Sequence, residues 1–273
     1  MVLLSVVLLA SLYFFAPRFK KSAASEANKS VEKPSITSAS ILDGAKLSLP
    51  SEQKISLLSI ENQLVSVKSV ADSIRIYHNL AKFWEDSAHR IEPYLYYTYS
   101  AALLENSEKS LTFAAQLMVS NLIAPDAPPA IQTWMAGNAK VLLEKALVIN
   151  PNNDSAKVNL GACYLFGNIS DNPMQGILKV KEVVDKNPHN TYGQLILALG
   201  GKKSGQYDKA IERFVLLLKD EPKNIEAMVN LAECYELTNQ NELAIEWYTK
   251  VKQLVNIPEA MDALDKRIKL LKK

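Results

Sequence analysis

Between residues 51 and 67 the apolar positions Leu57, Ile60, Leu64 and Val67 recur at i, i+3, i+7 and i+10. That spacing lines one face of an α-helix. Similar patterns predict helices at about 71–88, 92–105, 107–123 and 130–149. The cluster Asp126-Ala127-Pro128-Pro129 interrupts the series, because paired prolines cannot continue a helix. At the other end of the chain, Met261, Leu264, Ile268 and Leu271 form a single apolar stripe. Asp262, Asp265, Lys266, Lys269 and Lys272 lie off it, and Pro258 suits a first turn, so an amphipathic helix is expected there.

The N-terminal pattern is different. Val2–Ala16 is apolar except for Ser5, Ser11 and Tyr13. At ~1.5 Å per residue it reaches only ~24 Å, and counting on to Phe19 brings it to the lower limit of a membrane span. A signal peptide usually opens on a basic segment, which this run lacks, and the cleavage-like Ser22-Ala23-Ala24 lies beyond Arg18, Lys20 and Lys21. These departures favour a retained anchor over residues 1–21. Residues 22–50 are rich in Ser, Ala and Lys, carry Pro34 and Pro50, and read as a flexible tether.

The second half of the chain repeats itself. Asn159-Leu160-Gly161-Ala162-Cys163-Tyr164 parallels Asn230-Leu231-Ala232-Glu233-Cys234-Tyr235, with Ile196–Gly201 between them. Leu197 and Leu231, Ala210 and Ala244, Phe214 and Tyr248, and Pro188 and Pro222 are each one period of ~34 residues apart. A slightly longer first unit accommodates its extra residues in the loop Asn168–Asn172. Each unit reads as helix, turn, helix and a proline-marked turn. Small residues at 161, 198 and 232 are placed where the second helix of the unit approaches, with Ala210 and Ala244 reciprocal. Tyr164, Tyr235, Phe214 and Tyr248 fill the space between units, and Gly201 at the tyrosine position is expected to leave room.

This pattern resembles the tetratricopeptide repeat in units 154–190, 191–224 and 225–258. The resemblance implies an all-α, right-handed superhelix, a solenoid closed by a capping helix over 259–273 and preceded by the hydrophobic segment and tether. Residues 51–153 read as irregular helical hairpins, degenerate repeats, with Pro93–Ser120 as one such pair and five or so hairpins over 71–258. In a stack of this kind the first helix of each unit lines the concave face. The matching positions are Ser155, Val158, Asn159 and Ala162, then Tyr192, Leu195 and Leu199, then Glu226, Val229, Asn230 and Glu233. By resemblance these meet a peptide or helix of a protein partner, although Asn159 and Asn230 also read as ordinary repeat residues. Tyr192 and Ile196 stand where a carboxylate-clamping repeat carries bases. The groove is therefore expected to be apolar in its middle, acidic at one end, and selective for apolar or basic segments.

Composition narrows the chemistry. The 273 residues are 48% hydrophobic and 22% charged with a net charge of +2, which gives no argument for nucleic acid. Two cysteines at the same position of non-adjacent repeats are too far apart for a disulfide and read as buried hydrophobes. His78, His89 and His189 lack ligands at metal-binding spacing, so no metal or cofactor is expected. Gly200–Ser204 fails the phosphate-loop pattern, and no catalytic motif stands out. The sequence therefore reads as a non-enzymatic interaction scaffold at the cell inner membrane, with its repeats on the periplasmic side. Arg18, Lys20 and Lys21, read by the positive-inside rule, weigh against that side. By analogy with anchored repeat proteins, secretion or envelope assembly is the expected setting. The alternative is an exported protein binding a small ligand in a pocket lined by Trp84 and the tyrosines at 94–99.

Overall fold

The computed structural model describes residues 36–124, 127–170 and 172–272. The apolar run, the expected anchor over 1–21 and the first part of the tether lie outside these residues. Within them the secondary structure is helical throughout. The helices are α1 (Ser38–Leu47), α2 (Ser51–Ser66), α3 (Val70–Lys82), α4 (Ile91–Glu105), α5 (Glu108–Leu122), α6 (Pro129–Ile149) and α7 (Asp154–Phe166). They continue as α8 (Met174–Lys186), α9 (Thr191–Lys203), α10 (Tyr207–Asp220), α11 (Ile225–Leu237), α12 (Asn241–Leu254) and α13 (Pro258–Leu271). None of these is long and apolar enough to cross a membrane.

One expectation is corrected at the start. Residues 36–50 are not a flexible tether but hold α1 and its turn. Thr37 caps the helix by accepting from the Ser40 amide, and the Ser40 hydroxyl oxygen accepts in return from the Thr37 amide, both at 3.1 Å. Ile41 on the helix and Leu49 in the turn after it are buried, and Ala45 between them is half-buried. The Trp134 indole donates to Ser38 Oγ at 3.0 Å, tying α1 to a helix almost 100 residues on. A serine- and alanine-rich composition hid a capped helix with an apolar side.

Antiparallel pairs α3–α4, α5–α6, α7–α8, α9–α10 and α11–α12 form five successive hairpins. The expected pairing over Pro93–Ser120 is therefore out of phase. Helix α4 packs mainly on α3, and α5 packs mainly on α6. Helix α3 also runs into a π-helical turn at Phe83–Ser87, which carries Trp84 into the core.

The three marked repeats share a backbone logic. Asn153, Asn190 and Asn224 N-cap α7, α9 and α11, each accepting from the amide three residues on at 2.8–2.9 Å. A proline stands two residues before each cap. The turn inside each repeat uses a left-handed residue at the same place: Asn168 (φ 52°), Gly205 (φ 75°) and Asn239 (φ 60°). Asn and Gly tolerate that region best.

Packing follows the small-residue pattern. Ala198, Ala210, Ala232 and Ala244 are fully buried between the paired helices. The first repeat goes further with Gly161 against Gly176. A Cβ on Gly176 would fall 2.5 Å from the Gly161 carbonyl oxygen. Phe214 and Tyr248 are buried between units, whereas Tyr164 and Tyr235 are half-buried. At Gly201 a cleft of about 360 Å³ opens between Leu165, Ile177 and Arg213, the room expected from the missing tyrosine. Helix α13 lays Leu264, Ile268 and Leu271 on Ala232, Ala244 and Tyr248, closing the C-terminal end.

Candidate peptide-binding groove

The inner helices of the last two repeats, α9 and α11, open a groove of about 630 Å³. Its apolar lining comes from Leu199, Val229 and Leu237, with Leu122–Ala124 at the end of α5 and Phe166 at the end of α7. Its polar lining is Gln132, Lys202, Lys203, Glu226, Asn230 and Glu233. Of the positions expected from sequence, Leu199, Glu226, Val229, Asn230 and Glu233 meet in this groove.

The others do not. Val158, Asn159 and Ala162 are fully buried and offer a ligand no surface. The cause is twofold. Helix α5 of the preceding hairpin packs on α7 and covers its inner side. Tyr192 of the next repeat also closes over it, donating its hydroxyl to Asn159 Oδ1 at 2.7 Å. Burial pushes the Tyr192 phenol well above its ordinary range. Leu195 is buried in the cluster shared by the last two repeats, and Ser155 is exposed outside the groove.

The expected charge pattern is also corrected. The base absent at Tyr192 and Ile196 arrives later on the same helix as Lys202. Its ammonium donates to Asn230 Oδ1 at 2.7 Å and pairs with the Glu233 carboxylate. Lys202 stands three residues after Leu199, on the same helix face, and that spacing was the available signal. Lys203 lies 5.4 Å from the centre of the Phe166 ring and donates to the Leu165 carbonyl at 3.2 Å. Partial burial lowers its pKa. Glu226 has no ion pair among the described residues, and desolvation raises its carboxyl pKa. The groove thus presents an apolar floor, a neutralised Lys202–Glu233 bridge, the acid Glu226 without an ion pair, and Lys203 held by a carbonyl and a ring.

His78 bonds Glu105 at 2.6 Å and His189 bonds Asp220 at 2.9 Å, both on the surface. No group of three metal-capable side chains converges among the described residues. Gly200–Lys203 is the last turn of α9 rather than a phosphate loop. Trp84 is fully buried beside Phe83 and does not line a pocket. Of the tyrosines, Tyr94 faces a cleft of about 320 Å³ whose other walls include His78, Lys82, Glu85 and Glu105. Its second aromatic wall is Phe113.

Cys163 and Cys234 are unpaired and buried. Burial pushes their thiols up to about 12 and about 11. Since the thiolate is the nucleophile, both are expected to react with an aromatic disulfide reagent at pH 8 about a hundredfold or more slowly than in denaturant. Fast reaction of either thiol in the folded chain, followed by absorbance, would contradict this packing.

Residues 203–254 match the model of the tetratricopeptide repeat family. No curated protein matches the chain. Among solved structures, TTC0263, a thermophilic TPR protein in Thermus thermophilus, aligns with a TM-score of 0.52 and 17% identity over 74% of this chain and 98% of that one. YrrB, a TPR protein with an unusual peptide-binding site, aligns with a TM-score of 0.44 and 18% identity over 73% and 98%. MamA of Desulfovibrio magneticus RS-1 aligns with a TM-score of 0.45 and 20% identity over 68% and 97%. Together with the 34-residue register, the shared Asn caps and left-handed turns, and the paired small residues, the match over residues 203–254 and the likeness to TTC0263 show that the chain is similar to tetratricopeptide repeats and folds as an all-α superhelix.

Proposed function

We propose that the chain is a non-enzymatic scaffold that holds a partner peptide or helix in the groove between α9 and α11. The observation that carries the proposal is the groove itself: an open apolar floor at Leu199 and Val229 beside the unpaired Glu226. Apolar anchors on the partner fill the floor, and a basic residue meets Glu226. An acidic segment gains less there, because Lys202 is already held by Glu233 and Asn230, and Lys203 by the Leu165 carbonyl and the Phe166 ring.

Peptides selected by display against the full chain provide the test. Val229→Glu is expected to weaken them at least about tenfold by placing a charge on the apolar floor. Helix content should be unchanged, because Val229 is only half-buried. Equal affinity for Val229→Glu and the parent would refute binding in this groove.

The proposal also tethers the scaffold to the cell inner membrane through residues 1–21, with the repeats on the periplasmic side, in secretion or envelope assembly. Its support is the apolar run followed by a polar spacer. Mass spectrometry of the N-terminus tests the tether. An intact Met1 in the membrane fraction supports it, and a chain starting near Ser25 refutes it. A C-terminal reporter active on only one side of the membrane tests the sidedness.

A further inference from the structure

The outer helices α13 and α2 present different surfaces to solvent. Helix α13 turns a charged outer surface to solvent, with Glu259, Lys269 and the Asp262–Lys266 ion pair. Such a polar outer face is what a terminal unit of a solenoid needs. Helix α2, near the start of the described residues, exposes Glu52, Ser56, Ser59 and Gln63 beside an apolar strip. Leu57, Ile60 and Leu64 pack inward on the cluster around Leu80 and Trp84. On the other side of the same helix, Ile55, Leu58 and Val65 are each more than half exposed. The strip from Ser51 through Ile55, Leu58, Asn62 and Val65 carries no charge. Leu47, at the end of α1, is also largely exposed and shares with Leu58 a groove of about 440 Å³.

The rim of that groove indicates what covers it. It carries two acids and two bases: Asp43, Glu61, Lys46 and Lys54. Lys46 and Glu61 pair with each other at 2.7 Å. Lys54 reaches only the Leu47 carbonyl, at 3.2 Å, and Asp43 has no ion partner among the described residues. The face is therefore self-complementary. It has an uncharged strip, which does not repel its own copy, and a groove rim that leaves one charge of each sign, Lys54 and Asp43, without an ion partner among the described residues. A two-fold contact sets like strips together and brings each copy's Lys54 toward the other's Asp43.

We propose that the α1–α2 face is the interface between two copies of this chain related by a two-fold axis. This goes beyond the partner groove, which lies on other helices. The strip is ~24 Å long, so the contact falls at the small end of specific interfaces, ~1,200 Å² in total. The dimer is accordingly concentration-dependent.

Cysteine cross-linking of the full chain in detergent micelles tests it, since Cys163 and Cys234 are buried. Asn62→Cys, in the middle of the strip, is expected to form a disulfide-linked dimer at least about tenfold faster than Glu259→Cys on the capping helix. Adding Asp43→Lys to Asn62→Cys should remove that advantage. Adding Lys54→Asp as well should restore it, because the charges are exchanged rather than lost. Equal rates for Asn62→Cys and Glu259→Cys overturn the proposal, including where detergent or lipid covers the strip instead. Failure of Lys54→Asp to restore the rate lost with Asp43→Lys also overturns it.

Discussion

Phe214→Ala is expected to destabilise the repeat stack by about 4 kcal/mol. Phe214 is fully buried in α10, in a cluster that joins Leu195, Ala198 and Leu217 of its own repeat to Ala227, Met228 and Leu231 of the next. Removing the ring leaves a void bounded by helices of two repeats, and neither can close it without losing its other contacts. The loss should be uneven as well as large. The preceding helices are held by a separate cluster centred on Met118, Trp134, Leu143 and Ile196. In a linear stack, each unit depends on its neighbours. Hydrogen exchange should therefore show α11, α12 and α13 losing protection while α5 to α8 keep most of theirs. A loss below about 1 kcal/mol, or an even loss of protection along the chain, would show that Phe214 does not couple the last repeat to the rest.

The second large effect is at the glycine pair of the first repeat. Gly161→Val is expected to cost about 3 kcal/mol by overpacking. A Cβ at this position would lie 2.4 Å from Val180 Cγ2 and 2.8 Å from the Gly176 carbonyl oxygen. The second obstacle is backbone, so relief requires α7 and α8 to separate along their length. In the later repeats alanines occupy the equivalent places on both helices and are fully buried. The first repeat is therefore the most closely approached of the three. Gly44→Ala is the control. Gly44 lies within α1 with nothing near its missing Cβ. Alanine there should stabilise by about 0.5–1 kcal/mol, because it restricts the unfolded chain and suits a helix. Chemical denaturation of both variants checks the contrast. A Gly161→Val protein as stable as its parent would mean that the close approach of α7 and α8 is not real.

Much of this architecture was legible in the chain because its causes are local. The apolar spacing of α2 to α6 comes from the helical period, and the proline pair at 128–129 starts a helix where it breaks the preceding pattern. The small residues at 161, 198, 232, 210 and 244 record how closely the two helices of one unit must pack. Met261 to Leu271 reads as a cap because one amphipathic face is all that a terminal helix needs. Residues 36–50 were misread because composition outweighed the Thr37–Ser40 cap and the four-residue spacing of Ile41, Ala45 and Leu49. The π-helical turn at Phe83–Ser87 has no sequence signature of its own.

The candidate site was only half legible. Leu199, Glu226, Val229, Asn230 and Glu233 follow from the repeat register, which places them on the inner helices. Register states which side of a helix faces inward, and it leaves open whether that side meets a ligand or another part of the chain. That depends on how far the stack curves, the sum of packing angles between helices far apart in sequence. The sequence by itself determined the helices from α2 onward, their pairing within the three marked repeats, and the inner side of each. The tertiary structure decided that α5 and Tyr192 seal Val158, Asn159 and Ala162, that Lys202 neutralises Glu233, and that Trp84 belongs to the core. These are long-range contacts, and no local pattern of residues specifies them.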